Sequence, residues 1–445
     1  MLRFKFLGKT KIPHRKNTAD LAPVRMPAPN QVCITMDQHL GAPATPIVKV
    51  GDEVKVGQLI AEASGFICAP IHSSVSGKVT KLDSVLRANG ATVTAICIES
   101  DGLMTPAEDL TPPTVTDVDS LIAAIRTCGM VGLGGAGFPT AVKFDAVKKM
   151  GVDTVVINAA ECEPYLTSDA RTMLDDSEFI LEGISLIQRI APDIKRYIIG
   201  IEDNKPECIA KMKRVFEAND AVSIATLPSR YPQGAEKILI RNTTGRTVPE
   251  GKLPADVGVL VINVTTLASI AKYVRTGMPL VEKCVTVDGS AIAEPKNVIA
   301  PIGTSIGDVI EFAGGFKCEA GKIILGGPMT GRAVYSADEP ITKTTGGILA
   351  FSKKDAMQVD STACLHCGKC LDACPNSLNV PAFSHALKLE NKSDGIKILE
   401  DNRVNLCVEC GSCSFVCPAK RPLVENIRVA KKVLKEHNAH KATLK

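Results

Sequence analysis

The sequence predicts a multidomain α/β protein in which small β domains flank a mostly parallel α/β unit and a cysteine-rich unit closes the chain. Three observations predict it. Short β-branched runs broken by Gly and Asp fill residues 32–100, the pattern of a small all-β barrel or sandwich. Strand-like and helix-like segments then alternate from residue 120 to residue 275, as in a parallel sheet with covering helices. Half of the 16 cysteines fall between residues 364 and 417. A chain of 445 residues has room for roughly three domains at about 150 residues each.

Composition narrows the function classes. Apolar residues make up 45% and charged residues 22% of the chain, which argues against a disordered or fibrous protein. Aromatics are 4%, there is no Trp, and the net charge is +4 with no basic stripe interleaved with Tyr or Phe. No nucleic-acid partner is therefore expected. Apolar runs such as residues 257–264 fall far short of the ~20 residues that span a bilayer. The first residues alternate apolar and basic side chains without a continuous apolar stretch and small-residue cleavage site. The expectation is a cytosolic chain that reaches a membrane only through a partner.

Each element follows in order. Residues 1–28 are polar and Pro-rich and read as an arm. In residues 29–105 the run GDEVKVGQLIAEA followed by VSGKVTKL resembles lipoyl and biotinyl carriers, a barrel-sandwich hybrid. Carriers place a Lys at the hairpin tip; here the tip is Ser64, Gly65, Phe66 and Ile67, so an unmodified domain is expected. Residues 101–117, rich in Pro, Thr and acidic side chains, read as a linker. The α/β unit spans 118–278, with strands expected at 152–158, 197–201, 222–227 and 257–264 and helices at 120–130, 207–216 and 267–275. Ligands of such sheets sit beyond the carboxyl ends of the strands. Residues 279–350 suit a small β-grasp domain, with a turn at Asp288 and Gly289 and a short helix near 305–312. Residues 356–430 hold the clustered cysteines. The basic tail, 431–445, reads as a solvated helix face, or else as a contact for an acidic partner or anionic headgroups.

The cysteines give the strongest chemical signal. Cys364-x2-Cys367-x2-Cys370-x3-Cys374-Pro375 recurs as Cys407-x2-Cys410-x2-Cys413-x3-Cys417-Pro418, the bacterial ferredoxin spacing in which each fourth Cys serves the other cluster. Three thiolates two residues apart wrap one cube, and the Pro ends the loop and turns the fourth side chain away. One 4Fe-4S cluster is thus expected on Cys364, Cys367, Cys370 and Cys417, and a second on Cys407, Cys410, Cys413 and Cys374. Zinc prefers separated Cys pairs with tetrahedral closure. The scattered cysteines read as small buried hydrophobes, with Cys162 set apart by its loop.

Two loops in the α/β unit are candidates for ligand chemistry. Residues 132–137 match G-x-G-x-x-G, but a helix rather than a strand is expected before them, so the dinucleotide fingerprint does not apply. Pro139 at the start of a helix that includes Lys143 suits an anion site; the alternative is a tight glycine turn packing two helices. The strand 152–158 runs directly into Asn158, Glu161, Cys162 and Glu163. Two carboxylates at a strand exit suit acid/base work; the alternative is a capped surface loop.

GLGGAGFPT with Lys143, NAAECEP followed by Asp169 and Arg171, YPQGAEK and INVTTLA stand in the order of the flavin- and NADH-binding subunit of respiratory complex I, which this region resembles. With QHLGAPATPIVKVGD, SSVSGKV, GGPMTG and the paired cysteine motifs, nearly the whole chain resembles the C-subunit family of Rnf ion-translocating electron transport complexes. The resemblance implies a Rossmann-like flavin domain, a β-grasp domain of the SLBB type, non-covalent FMN, and NAD(H) as substrate. It also implies the other subunits of a membrane-bound complex as partners, ferredoxin indirectly, and a peripheral place on the cytoplasmic side of the membrane. Electrons would pass between NAD(H), FMN and the two clusters. Carried over by position, Gly134, Gly135, Gly137, Phe138 and Lys143 would contact flavin or dinucleotide. Asn158, Glu161 and Glu163 would line the flavin, and Asn263 and Thr266 would hold its ribityl phosphate end. Glu161, Glu163 and Glu236 would be the catalytic carboxylates. Complex I has an Arg where Leu133 stands and an Asp where Ala160 stands. Two other readings fit parts of the pattern: a soluble flavin and iron-sulfur reductase resembling microcompartment cobalamin reductases, and a non-catalytic electron-transfer adaptor.

Overall fold

In a computed structural model that describes residues 7–87 and 90–443, the first β unit is two facing sheets. One has the spatial order Gln31–Thr35, Thr92–Ser100, Gly77–Leu86, Glu53–Val54; the other is Thr45–Pro46, Leu59–Glu62, Ile71–His72. Alternation decides what is inside: Val32 and Ile34, and Ile96 and Ile98, point into one shared core with Ile60, Ile71 and Val79, as a two-residue side-chain period requires. The hairpin tip presents Phe66 and Ile67 to solvent. Cys33 and Cys97, expected as unlinked hydrophobes, are instead directly opposed across the antiparallel pair with Cα atoms 4.1 Å apart and form a disulfide.

The central sheet is wholly parallel, in the order Val222–Leu227, Arg196–Glu202, Thr154–Ala159, Val259–Asn263. Val155, Ile157 and Ala159 enter one core and Val156 another, so both faces of this strand are covered. Helix Val118–Thr127, opened by an Asp117–Ser120 capping box, precedes the glycine loop, as the sequence requires. Helix Ser177–Ile190 buries Ile180, Gly183, Ile184 and Ile187, the three- and four-residue spacing of one helical face. Helices Ser168–Asp175, Ser177–Ile190 and Glu236–Thr244 have no counterpart in the sequence expectation. The strand order changes direction at Thr154–Ala159, where the fourth strand returns beside the first. A crevice therefore opens beyond the ends of Thr154–Ala159 and Val259–Asn263.

The β-grasp sheet has the order Val24–Arg25, Lys296–Pro301, Glu282–Asp288, Gly347–Ser352, Ala320–Leu325, Arg332–Ala333. Helix Ile306–Phe312, capped by Ser305, packs on it through Ile306, Val309 and Ile310. Its outermost strand comes from the amino-terminal arm, in parallel register with Val298 and Ile299. The described part of the arm is thus built into the fold. Thr10 bridges to Tyr231, and Asn297 Nδ2 donates to the carbonyls of Thr18 and Leu21 at 2.9 and 3.2 Å. Lys343, 1% exposed, donates to the carbonyls of Pro70 and Gly129 at 2.9 and 2.8 Å. One ammonium therefore joins the barrel-sandwich, α/β and β-grasp units, and its burial holds its pKa down at about 8.

The two cysteine segments repeat each other in backbone detail. His366 and Glu409 have φ of 53° and 54°, Gly368 and Gly411 have 75° and 77°, and Ser377 and Lys420 have 52° and 51°. The amides of His366 and Glu409 donate to the sulfurs of Cys364 and Cys407. The closing helix Leu423–Thr443 buries Ile427, Ala430 and Leu434. Part of the basic tail is not a free solvated face: Lys431 Nζ donates to the Cys407 carbonyl and to Glu409, both at 2.7 Å, and Arg428 also pairs with Glu409. Lys445 lies outside the described residues.

Replacing Lys343 by Met leaves two buried carbonyls without a donor and is expected to lower stability by about 2 kcal/mol, read as a fall in the urea midpoint at an unchanged slope.

Candidate functional site

Asn158 and Asn263 are register partners on adjacent parallel strands and stand at the mouth of the crevice. Asn263 caps helix Val264–Thr276 by accepting from Thr266 N at 3.1 Å, and its Nδ2 donates to Asp169 at 2.8 Å. Thr265 holds the other Asp169 oxygen at 2.6 Å. Thr266, 1% exposed, accepts from the amide of Leu133 at 3.0 Å, while Gly132 N bonds to Phe138 O at 2.9 Å. The glycine loop is thus a closed turn resting on a helix N-terminus. Leu133 is buried and anchors it; residues 134–136 form an exposed tip. A Cβ on Gly134 would sit 2.4 Å from Asn263 Nδ2, whereas one on Gly135 would meet nothing within 4 Å. Gly137, at φ 70°, is needed for a different reason: a side chain there would strike Thr344 at 2.6 Å. An open, amide-rich tip over two strand ends fits a flat, phosphate-bearing cofactor such as FMN.

The acidic loop is ordered mostly from below. Lys16, from the arm, directs all three of its N–H donors at the carbonyls of Glu161 (2.9 Å), Glu163 (2.9 Å) and Leu166 (2.5 Å). Lys205 donates to the carbonyls of Ala160 at 2.6 Å and Glu161 at 3.4 Å and pairs with Glu202 at 3.5 Å. Glu161 has a left-handed backbone, φ 44°, which a non-Gly residue holds at about 1–3 kcal/mol of strain.

The loop carboxylates stand at the strand exit, as expected, and make contacts that the sequence did not show. Glu161 accepts from the amides of Asp169 (2.7 Å) and Ala170 (3.3 Å), capping helix Ser168–Asp175, and lies 4.0 Å from Lys16. Burial raises its pKa against the pull of Lys16, and burial lowers that of Lys16. Glu163 accepts from Tyr231 OH at 3.3 Å, Met329 N at 3.0 Å and Thr330 Oγ1 at 2.6 Å, clamping the GGPMTG turn of the β-grasp unit. Burial raises its pKa as well. Both side chains are thus engaged with the protein itself rather than turned out as free acids. Glu236 and Lys143, expected in separate contacts, pair at 2.7 Å, and Lys143 also donates to Val261 O. Asn158 Nδ2 holds Gly234 O at 2.9 Å. Cys162 accepts from Gly234 N at 3.4 Å, and burial pushes its thiol up to about 12, so it is no ready nucleophile. Phe138 is half-buried. Sequence reasoning missed Lys16 and Lys205: one stands in a polar arm and the other just before helix Pro206–Val215, and neither position has a periodicity to betray it.

Of the eight clustered cysteines, Cys364, Cys370 and Cys417 neighbour one another, as do Cys374, Cys407, Cys410 and Cys413. The Cys370 thiol lies within the electrostatic reach of Cys417 and Cys364, and that of Cys413 within reach of Cys407, Cys410 and Cys374. Among the described residues no three His, Cys, Asp or Glu side chains converge closely enough for a single metal ion. Two sets of four thiolates suit two 4Fe-4S cubes. The second loop abuts the first site, since a Cβ on Gly411 would lie 2.7 Å from Met329 O, and Met329 is the residue whose amide Glu163 holds.

Comparison with known proteins agrees with this architecture. Residues 4–103 match the RnfC barrel sandwich hybrid domain, 125–272 the Nuo51 FMN-binding domain, 284–333 the SLBB domain and 360–421 the 4Fe-4S dicluster domain. The chain is 44% identical over 375 residues to the C-subunit of the proton-translocating ferredoxin:NAD(+) oxidoreductase complex of Clostridium ljungdahlii, covering 83% of this chain and 81% of that one. It is 42% identical over 434 residues to the C-subunit of the Na(+)-translocating ferredoxin:NAD(+) oxidoreductase complex of Acetobacterium woodii, covering 96% of both. It is 37% identical over 438 residues to the C-subunit of the ion-translocating oxidoreductase complex of Rhodobacter capsulatus, covering 96% of this chain and 82% of that one. Among solved structures, an NAD+-reducing [NiFe]-hydrogenase in the H2-reduced state aligns with a TM-score of 0.50 at 20% identity, over 74% of this chain and 65% of that one, a likeness of fold. With relatives this similar along nearly its full length, the chain belongs to the C-subunit family of the Rnf-type ion-translocating ferredoxin:NAD(+) oxidoreductase complexes.

Proposed function

We propose that this chain is the subunit through which a membrane-bound ion-translocating complex exchanges electrons with NAD(H), linking that pool to ferredoxin. The observation that supports it most is the continuity of the two sites. The crevice at Asn158 and Asn263 joins the acidic loop, Glu163 of that loop holds Met329, and Met329 packs against the second cysteine loop at Gly411. FMN, when bound, interconverts two-electron hydride chemistry and single-electron transfer, and 4Fe-4S clusters relay single electrons.

The residues of this chain supply position and electrostatics. The tip at Gly134 and Gly135 would receive the cofactor, and the N-terminus of helix Val264–Thr276 would suit its phosphate end. Asn158 and Asn263 fix the strand ends at the width of the crevice. Lys143 and Glu236 form a charged pair at its side, each leaving the other neutralised. Thr266 keeps the loop closed through Leu133. The eight clustered cysteines hold the two clusters in crossed sets, so that the two repeats fold as one unit. Among the described residues no helix is long and apolar enough to cross a membrane. The chain sits peripherally, on the cytoplasmic face, held by the other subunits.

Anaerobically purified protein is expected to contain about one FMN and about eight irons per chain, and NADH is expected to bleach flavin and clusters together. Iron without flavin, and silence to NADH even after reconstitution with FMN, would make the chain an electron-transfer adaptor. Gly135→Val has room within the fold and fills the tip; it is expected to keep the melting temperature and iron content but reduce flavin occupancy at least fivefold. Cys417→Ser and Cys367→Ser are expected to remove the same cluster signal in electron paramagnetic resonance, and Cys374→Ser and Cys410→Ser the other. Pairing by sequence neighbourhood instead would show Cys417→Ser grouping with Cys410→Ser.

A further inference from the structure

Lys16 lies outside the segment that matches the FMN-binding domain, 125–272, yet its ammonium ends on the acidic loop of that domain. An ammonium has three N–H donors, and all three are spent on the carbonyls of Glu161, Glu163 and Leu166. Lys205 takes the carbonyls of Ala160 and again Glu161 from the same side. In a trans peptide the carbonyl and the following N–H point in opposite directions. Once the carbonyls of Ala160 and Glu161 are drawn onto the lysines, the amides of Glu161 and Cys162 must face away from them. The left-handed backbone of Glu161 is the conformation that results.

We infer that Lys16 is a positioning residue of the flavin site: through the Glu161 carbonyl it turns the Cys162 amide toward the crevice, beside the Glu161 amide that Lys205 sets through the Ala160 carbonyl, as donors for an electron-rich edge of the bound cofactor. This rests on the crevice being the FMN site. The arm is then a component of the redox site and not only a link to the β-grasp sheet. Its course explains how Lys16 is placed. Thr10 is fixed to Tyr231 on one side of it, and Thr18 on the other bonds to Thr167 at 2.5 Å, just past the loop. The groups facing Lys16 are Glu161 and Cys162 from the loop, Glu202 from strand Arg196–Glu202, and Lys205 at the start of helix Pro206–Val215. None of them can replace three donors aimed at three carbonyls.

The test uses the full chain with clusters intact, stripped of flavin and titrated with FMN, following flavin fluorescence quenching and the visible circular dichroism of the bound flavin. Lys16→Gln is expected to weaken FMN binding at least tenfold and to change the dichroic band, with iron content and cluster signals unchanged. Lys16→Arg keeps the charge but presents a planar head, and is expected to recover part of the affinity while remaining at least threefold weaker than the native protein. Lys9→Gln, on the same arm, removes only an exposed bond to Ser377 and is expected to match the native protein. Native affinity and an unchanged dichroic band in Lys16→Gln would overturn the inference. If Lys16→Gln does not accumulate as folded protein, native affinity in Lys16→Arg would overturn it equally. Failure of the native chain to bind FMN at all would instead refute the functional reading on which the inference rests.

Discussion

The carbonyls of Ala160, Glu161, Glu163 and Leu166 lie outside strand and helix, and two buried ammonium groups take them. A buried carbonyl without a donor costs about 1–3 kcal/mol, so a loop carrying several would not hold a left-handed Glu161 by itself. Lys16 and Lys205 meet that demand with hydrogen bonds at 2.5–3.4 Å. Buried charges of this kind add little net stability, because desolvation offsets the attraction. What they give is direction, since each ammonium fixes specific carbonyls of the loop. The course of the arm, the capping of helix Ser168–Asp175 by Glu161 and the reach of Glu163 to Met329 all depend on the loop held in this way.

The same device recurs elsewhere in the chain. Lys343 joins carbonyls of the barrel-sandwich and α/β units; Lys431 fixes the carbonyl of Cys407 and the Glu409 side chain. Glu163 reverses the polarity, a carboxylate receiving donors from Tyr231 and from the β-grasp turn. Lys343 and Glu163 cross from one unit to another, and Lys431 works within the cysteine-rich unit. A multidomain chain that must keep redox centres at fixed separations gains from such joints, because apolar contacts alone permit sliding whereas directed hydrogen bonds do not.

Burial also explains why the carboxylates that stood out in the sequence are not free acids. Glu161 and Glu163 lie at the exit of a buried strand, as the motif NAAECEP indicates, but the space around them is already filled with amide and hydroxyl donors. Their raised pKa values come from desolvation. Glu161 caps helix Ser168–Asp175 and Glu163 holds the β-grasp turn, while the tip at Gly134 and Gly135 stays exposed.

Local pattern made much of this legible in advance. The cysteine repeats, the parallel strands 152–158 and 222–227, the alternating β unit and the glycine turn all follow from short-range periodicity or spacing, which the chain must obey whatever it packs against. The family resemblance rests on motifs of the same kind. Other features could not be read this way. The arm shows no periodicity, because its bonds run from side chains to the backbone of distant loops; Val24 and Arg25 become a strand only because the edge of the β-grasp sheet is there to pair with. Cys33 and Cys97 are ordinary cysteines until antiparallel register sets them opposite each other. Lys143 and Glu236 look like separate ligands until the fold brings them within 2.7 Å. The sequence by itself determined most of the elements, the paired cysteine motifs and the family. Tertiary structure alone decided which buried charge satisfies which carbonyl, since that depends on segments far apart in the chain meeting where water is excluded.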